Sequence, residues 1–574
     1  MRIGFDNEKY ITMQADRIHQ RISEFGGKLY LEFGGKLLDD NHASRILPGF
    51  APDAKAQMLQ QLAHEAEVVF AINANDIENG KRRSDIGVTY ADDVLRLMDI
   101  FRARGLAIGG VVITQYSGQP KAKAYRARLE NMGIAVYRHY PIEGYPSNID
   151  LIVSAEGYGK NEYVKTTHPL VVVTAPGPGS GKLAVCLSQL YNENARGVRA
   201  GYAKFETFPV WNLPLKHPVN VAYEAATADL GDNNIIDPYH LEAHGKVTVN
   251  YNRDVEAFPV LKAMMEKIAG TSPYQSPTDM GVNMVGNCIT DDEVCQEASK
   301  AEIVRRWFRA AEKLERTGMG ERELTKINLL MKDVNVDQNF SPAHAACLHK
   351  AEETGKLAGA MVMPDGTIIT GKTSELLGAP ASLLLNALKY VVGIEKKTFI
   401  VSDEVLRPIC ALKENNFKLA RTSLCADEML IALSISSITN PLAGKAVDAT
   451  QLLRGCDAYF SSIIPSDDES IYHKLGINVC CEPIFEQGQF FHQRFLTAHI
   501  KARKRETLRL VLKLNTHLFL QTLQNVSSGR CIHLSKIPRT ILLLHGGSLR
   551  WPLCLCWHCC NRVRDFSPSL LTTI

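Results

Sequence analysis

The chain has 574 residues, 45% of them hydrophobic and 22% charged, and so exceeds the roughly 250–300 residues at which a single core stops growing. Its net charge of +3 conceals an acidic main body: residues 1–493 carry 52 basic against 60 acidic side chains, which excludes a broad nucleic-acid-binding face. The start MRIGFDNEKYITMQADRIHQ has no apolar signal-like segment, and no apolar run reaches the roughly 18–20 residues that span a bilayer, so the reading is a soluble cytoplasmic protein with no membrane partner.

Up to residue 222, short apolar strands alternate with helical patterns. Met13, Ile18, Ile22 and Phe25 fall near helical spacing, with Gly26-Gly27 as the stop. GGKL occurs at Gly26–Leu29 and again at Gly34–Leu37, and two glycine turns around the strand-like LYLEF account for it. The predicted strands are Val68–Ile72, Gly110–Thr114, Ala135–Arg138, Leu151–Ser154 and Leu170–Thr174. Between them, Ala54–Glu65, Tyr90–Arg104 and Ala122–Met132 are amphipathic. This succession predicts an α/β domain over 1–222, a doubly wound, mostly parallel sheet with helices on both faces.

Asn73-Ala-Asn-Asp76 and Lys81-Arg82-Arg83 follow the strand Val68–Ile72, where doubly wound sheets place ligands. Asp76 and Lys81 are weak catalytic candidates for that reason, and a solvated loop is the alternative. A richer signal is APGPGSGKLA, Ala175–Ala184. It joins the apolar run Leu170-Val-Val-Val-Thr174 to the helical LAVCLSQLY, giving strand, glycine loop and helix N-terminus in the order an anion site needs. Gly177, Gly179, Ser180, Gly181 and Lys182 form the predicted cradle: glycines for close backbone approach, a hydroxyl, and a cation. Pro176 and Pro178 depart from the phosphate-loop pattern, and Pro178 removes an N–H donor. Leu183 stands where a Ser/Thr would ligate Mg²⁺. The cradle therefore suits a nucleotide or phosphorylated metabolite bound in an unusual way; the alternative is a Pro/Gly turn that only joins strand to helix.

Residues 223–340 read as mainly helical, with helices at Val255–Ala269, Asp291–Leu314 and Gly320–Asp333. Asp237-Pro-Tyr-His240-Leu-Glu-Ala-His244 places two histidines on one helical face. Glu242 is misplaced for the H-E-x-x-H pattern, and no metal ligand is assigned. Asp279, within SPTDMGVNMVGN, is a third weak catalytic candidate.

Residues 341–493 read as a second α/β unit, with strands Gly359–Met363, Thr367–Thr370, Thr398–Val401, Tyr459–Ser462 and Ile477–Cys481, and helices Ala381–Val392 and Ala426–Ile438. Here Gly366-Thr-Ile-Ile-Thr-Gly371-Lys372-Thr373 matches G-x-x-x-x-G-K-[S/T] in every letter. Its four variable positions are all β-branched and resist the curled backbone of a phosphate loop. With Pro364-Asp365-Gly366 as a turn, the stretch predicts a hairpin. Residues 494–574 carry 13 Lys+Arg against 2 Asp+Glu and five of the 14 cysteines. They are read as a poorly ordered basic tail, with Cys556-x-x-Cys559 only half of a zinc pattern.

The runs THPLVVVTAPGPGSGKLAVCLSQLY, SPYQSPTDMGVNMVGNC and AMVMPDGTIITGKTSELLGAP resemble the mainly bacterial "domain of unknown function eighteen-forty-six" family of uncharacterised proteins, from Met1 to about residue 491. The resemblance implies a multidomain α/β architecture whose C-terminal unit has a deaminase-like topology. The family itself has the proline-interrupted loop.

Two functional readings follow. The first is an enzyme of unassigned reaction that binds a phosphate-containing small molecule or nucleotide through Gly177–Lys182, as a homo-oligomer. The second is a non-catalytic oligomeric binding or scaffold protein whose helical middle is the interface.

Overall fold

The computed structural model describes residues 2–35, 37–83, 86–418 and 422–486. The strands, in chain order, begin with β1 (Leu29–Phe33), β2 (Ala66–Asn73), β3 (Ala107–Thr114), β4 (Val136–Arg138), β5 (Leu170–Thr174) and β6 (Gly201–Phe205). The short pair β7 (Asn234–Ile236) and β8 (Val249–Tyr251) comes next, then β9 (Gly281–Val282). The last four are β10 (Ala358–Val362), β11 (Ile368–Lys372), β12 (Asp457–Phe460) and β13 (Asn478–Cys481).

Seven strands form one sheet in the order β4-β3-β2-β5-β1-β6-β9, and every neighbouring pair is parallel. The expected α/β class with a mostly parallel sheet is what the chain adopts. At its centre every residue of β5, LVVVT, is buried, as a strand covered on both faces requires. The direction of travel reverses between β2 and β5. From β2 the chain moves outward to β3 and β4; from β5 it crosses β1 to β6 on the other side. Such a reversal leaves a crevice above the C-terminal ends of the two strands, because their following loops diverge.

The segment predicted to be mainly helical supplies β9 to the edge of this sheet, and its buried residues Phe258, Met264, Ile303 and Phe308 share one core with Leu31, Val69 and Val172. The long helix Asp292–Thr317 also reaches the C-terminal unit: Arg305 Nη1 donates to Asp457 Oδ2 at 2.7 Å, and Phe308 meets the Tyr459 ring edge-on at 5.7 Å.

The C-terminal unit holds a four-stranded mixed sheet, β11-β10-β12-β13, with its own hydrophobic cluster. β10 pairs antiparallel with β11, so GTIITGKTS is the predicted hairpin, Ala358 facing Lys372. Two predicted strands do not form. Leu151 and Ile152 lie in the helical turn Ile149–Ile152, where the Asn148 side chain caps the N–H of Leu151, and Val153-Ser154 lead out of it. Thr398–Val401 adopts no regular structure, although Ile400 and Val401 are buried. A short apolar run satisfies a core equally well as strand, turn or coil. The tail and its CxxC stretch lie outside the described residues.

Among the described residues no helix is long and apolar enough to cross a membrane.

Candidate functional site

The loop Ala175–Gly181 leaves β5 at the reversal of the sheet and enters the helix Lys182–Ala195. Gly179 and Gly181 have φ of +77° and +84°, a left-handed backbone that a side chain resists. Two hydrogen bonds fix the loop to the neighbouring strand ends and a third braces it internally. Thr114 Oγ1 donates to the Ser180 carbonyl at 2.8 Å, Asn73 Nδ2 to the Gly179 carbonyl at 3.3 Å, and Ser180 Oγ to the Gly177 carbonyl at 2.9 Å.

These bonds consume carbonyls and leave N–H groups. Among the described residues, no acceptor pairs with the N–H of Gly177, Gly179, Gly181 or Lys182, and no side chain caps the helix. A helix N-terminus with free donors carries partial positive charge. Lys182 adds a full charge and has no ion-pair partner among the described residues. The Ser180 hydroxyl, expected to face a ligand, is instead turned inward: the residue is fully buried and its hydroxyl braces the turn. The loop therefore offers backbone donors and a lysine, and not the hydroxyl.

The loop is the common wall of two cavities. One, of about 430 Å³, opens over the C-terminal ends of β2 to β5, and its wall includes Asn73, Thr114, His139, Asn161, Gly179 and Gly181. Gln115 on its rim has a φ of +53°, strained for a residue with a side chain. The other, of about 310 Å³, is lined by Thr174–Pro178 together with Lys182, Arg83, Arg96 and Asp39. Its cations are held in place from beneath. Buried Asp93 accepts from Arg83 Nη1 at 3.0 Å and from Arg96 Nε at 2.7 Å, while Arg96 Nη2 has no partner.

His139, one residue beyond β4, is the group in the larger cavity that sequence reasoning missed. It is 4% exposed. Its Nε2 lies 3.2 Å from the Glu162 carbonyl oxygen, an acceptor only, so Nε2 carries the proton and Nδ1 presents a lone pair. Nδ1 has no partner. Burial pushes the imidazole pKa down to about 4, so the ring is neutral near pH 7. Glu162 is itself immobilised by Arg138, whose N–H and Nε each donate to its carboxylate at 2.7 Å. The available signal was positional: a titratable residue directly after a parallel strand.

The weak catalytic candidates are placed elsewhere. Asp76 and Lys81 pair with each other at 3.2 Å, Lys81 lying over the Tyr90 ring; neither lines a cavity described above. Asp279 lies two residues before the edge strand β9, three strands removed from β5, and lines neither cavity. It is bonded to His244 at 3.0 Å.

Comparison with known proteins covers nearly all of the described chain. The profile for the family described as Domain of unknown function DUF1846, N-terminal, matches residues 3–335, and that for Domain of unknown function DUF1846, C-terminal, matches 339–491. A UPF0371 protein of Corynebacterium aurimucosum is 54% identical over 493 residues, 86% of this chain and 99% of that protein. UPF0371 proteins of Streptococcus thermophilus and Streptococcus pneumoniae are 52% and 51% identical over 490 residues, 85% of this chain and 99% of each.

Proposed function

The chain belongs to the DUF1846 family, and for this member we propose an enzyme that binds a phosphate-bearing small molecule at the C-terminal edge of its parallel sheet. One observation carries the reading. Loop glycines with unpaired N–H groups and a neutral, buried histidine whose Nδ1 lacks a partner among the described residues line a single cavity at the reversal of strand order. The phosphate sits on the N–H groups of Gly179, Gly181 and Lys182, with Lys182 and Arg96 supplying charge from the second face. The organic part, of a nucleotide or a phosphorylated metabolite, fills the larger cavity.

His139 accepts a hydrogen bond from a ligand hydroxyl or N–H. A conjugate acid near 4 is too acidic to retain an abstracted proton at neutral pH, so this imidazole serves recognition better than general-base catalysis. Leu183 lines the same cavity and offers no oxygen to Mg²⁺.

We place the protein in the cytoplasm, with no nucleic-acid or membrane partner; the nine cysteines among the described residues are free thiols, as a reducing compartment maintains. We also propose a homo-oligomer. Ile431, Ile435 and Ile438, spaced i, i+4, i+7 on and just after the helix Ala426–Ser436, are 59%, 48% and 82% exposed. Such a stripe supports self-association through the C-terminal unit rather than the helical middle. The order β11-β10-β12-β13 is compatible with a deaminase-like topology there, but the unit lacks the zinc-binding motifs of that chemistry.

Isothermal titration and melting with inorganic pyrophosphate and with ATP test the proposal. One ligand per chain, a raised Tm, and an affinity loss of about ten-fold or more in Lys182→Ala are expected. No response to either compound, or an unaltered response in Lys182→Ala, favours the non-catalytic scaffold.

A further inference from the structure

We infer that His240, His244 and Asp279 form a three-ligand site for a divalent transition ion, best suited to Zn²⁺. Two of these residues lie one helical turn apart on Pro238–His244, and the third is on the turn before β9. In the fold their donor atoms all lie within 4.8 Å of one another. His240 Nδ1 is 3.4 Å from Asp279 Oδ1, and His244 Nε2 is 3.0 Å from the same oxygen. A tetrahedral zinc ion with bonds of about 2.0–2.1 Å sets neighbouring ligand atoms about 3.3–3.4 Å apart. Both separations from the carboxylate oxygen are within about 0.4 Å of that value, and the two imidazole donors lie no more than 4.8 Å apart.

The supporting shell holds both ligand-bearing segments in that arrangement. Asp237, fully buried, caps the histidine helix by accepting from the His240 N–H at 3.1 Å. Its other oxygen accepts from the Thr278 N–H at 3.2 Å and Thr278 Oγ1 at 2.6 Å. One carboxylate thus fastens the helix to the residue beside Asp279. Asp279 is oriented in turn: its Oδ2 accepts from the N–H groups of Gln275 and Ser276, each at 3.0 Å, while Oδ1 lies within 3.4 Å of both imidazoles. Metal sites depend on such outer partners for ligand orientation.

The donor set selects the ion. Two imidazoles and one carboxylate suit zinc and other first-row ions, whereas Ca²⁺ and Mg²⁺ require six or more oxygens. Side-chain exposures of 13% for His240, 19% for Asp279 and 36% for His244 make a pocket open on one side, with the fourth position left to water. Two contacts compete: Ser276 Oγ lies 3.0 Å from His240 Nδ1, and Asp279 Oδ2 lies 3.1 Å from His244 Nε2. The site lies beside the edge strand β9, three strands removed from β5, and the inference is independent of the phosphate-binding reading.

Titration of the full, untagged chain with Zn²⁺ tests it. One ion per chain is expected, with affinity lowered about ten-fold or more in His244→Ala and in Asp279→Asn. Co²⁺ loaded in place of zinc should give the intense visible absorption of a tetrahedral site, absent in His244→Ala. His244 is the most exposed ligand and its loss the least disturbing to folding; should that variant unfold, the cobalt spectrum of the unaltered chain decides. No stoichiometric binding, equal affinity in the variants, or a weak octahedral cobalt spectrum overturns the inference.

Discussion

Gly177 carries its Cα against the phenol of Tyr90: a Cβ built on Gly177 stands 2.1 Å from Tyr90 Oη and 2.5 Å from Cζ. The glycine is required there by close approach, whereas Gly179 has open space and is required by its φ of +77°. Gly177→Ala should therefore push the Tyr90 ring and the loop apart, costing about 1–3 kcal/mol in urea unfolding. Gly179→Ala should cost about 1–2 kcal/mol, through backbone strain alone. Pyrophosphate binding should fall in both.

Lys372 completes a perfect phosphate-loop motif, yet it ends a hairpin strand and is exposed. Lys372→Ala should leave pyrophosphate and ATP titrations unchanged, in contrast to Lys182→Ala. A weakened response in Lys372→Ala would move the anion site to the C-terminal unit.

His139 makes stability depend on pH. Its pKa is about 4 in the folded chain and about 6.5 when unfolded. Above pH 6.5 it is neutral in both states and contributes no slope. Between pH 6.5 and 4 the unfolded chain takes up a proton that the native site refuses, so stability falls with pH by about 3 kcal/mol before levelling off. His139→Gln should remove that part of the slope in urea melts from pH 4.5 to 7.5, and should weaken ligand binding at pH 7.5.

Glu302 is 1% exposed and lies among Arg45, Arg305, Arg306 and His42; Arg45 Nε donates to it at 2.8 Å, and Arg305 and Arg306 each donate at 2.9 Å. Burial opposes its charge, but the guanidinium groups prevail and hold its pKa well below the ordinary carboxylate value. Its contribution is present above the unfolded pKa and is lost as pH falls through the folded one. Glu302→Gln removes the carboxylate shared by buried Arg305, which also bonds Asp457 of the C-terminal sheet, and by the half-buried Arg45 and Arg306. A loss of about 3–5 kcal/mol in urea unfolding is expected.

Ile435→Asp places a charge in the exposed apolar stripe without touching the core. Light scattering should report a shift from oligomer to monomer, with the melting temperature of the monomer little altered.

Wherever local chemistry decides, the sequence was legible. The β-branched run before Lys372 declared a hairpin in spite of its motif, and the valines of β5 with the glycines after them declared strand, loop and helix. Leu151–Ser154 misled because Asn148, outside the apolar run, captured the N–H of Leu151 and began a helical turn. Ser180 misled because only Thr114 and the curl of the loop determine which of its groups are spent.

His139 was missed for a different reason. Its position directly after a predicted strand is the one local signal; its role emerges only when strand order brings the end of β4 near those of β2 and β5 and the Glu162 carbonyl fixes its proton. The same holds for His240, His244 and Asp279, which are separated along the chain by as many as 39 residues and meet because Asp237 joins their two segments. Backbone conformation follows from neighbours in sequence, so the glycine loop and the hairpin were determined by the letters alone. The convergence of polar atoms across strands depends on which strands lie side by side, and only the folded sheet decides that.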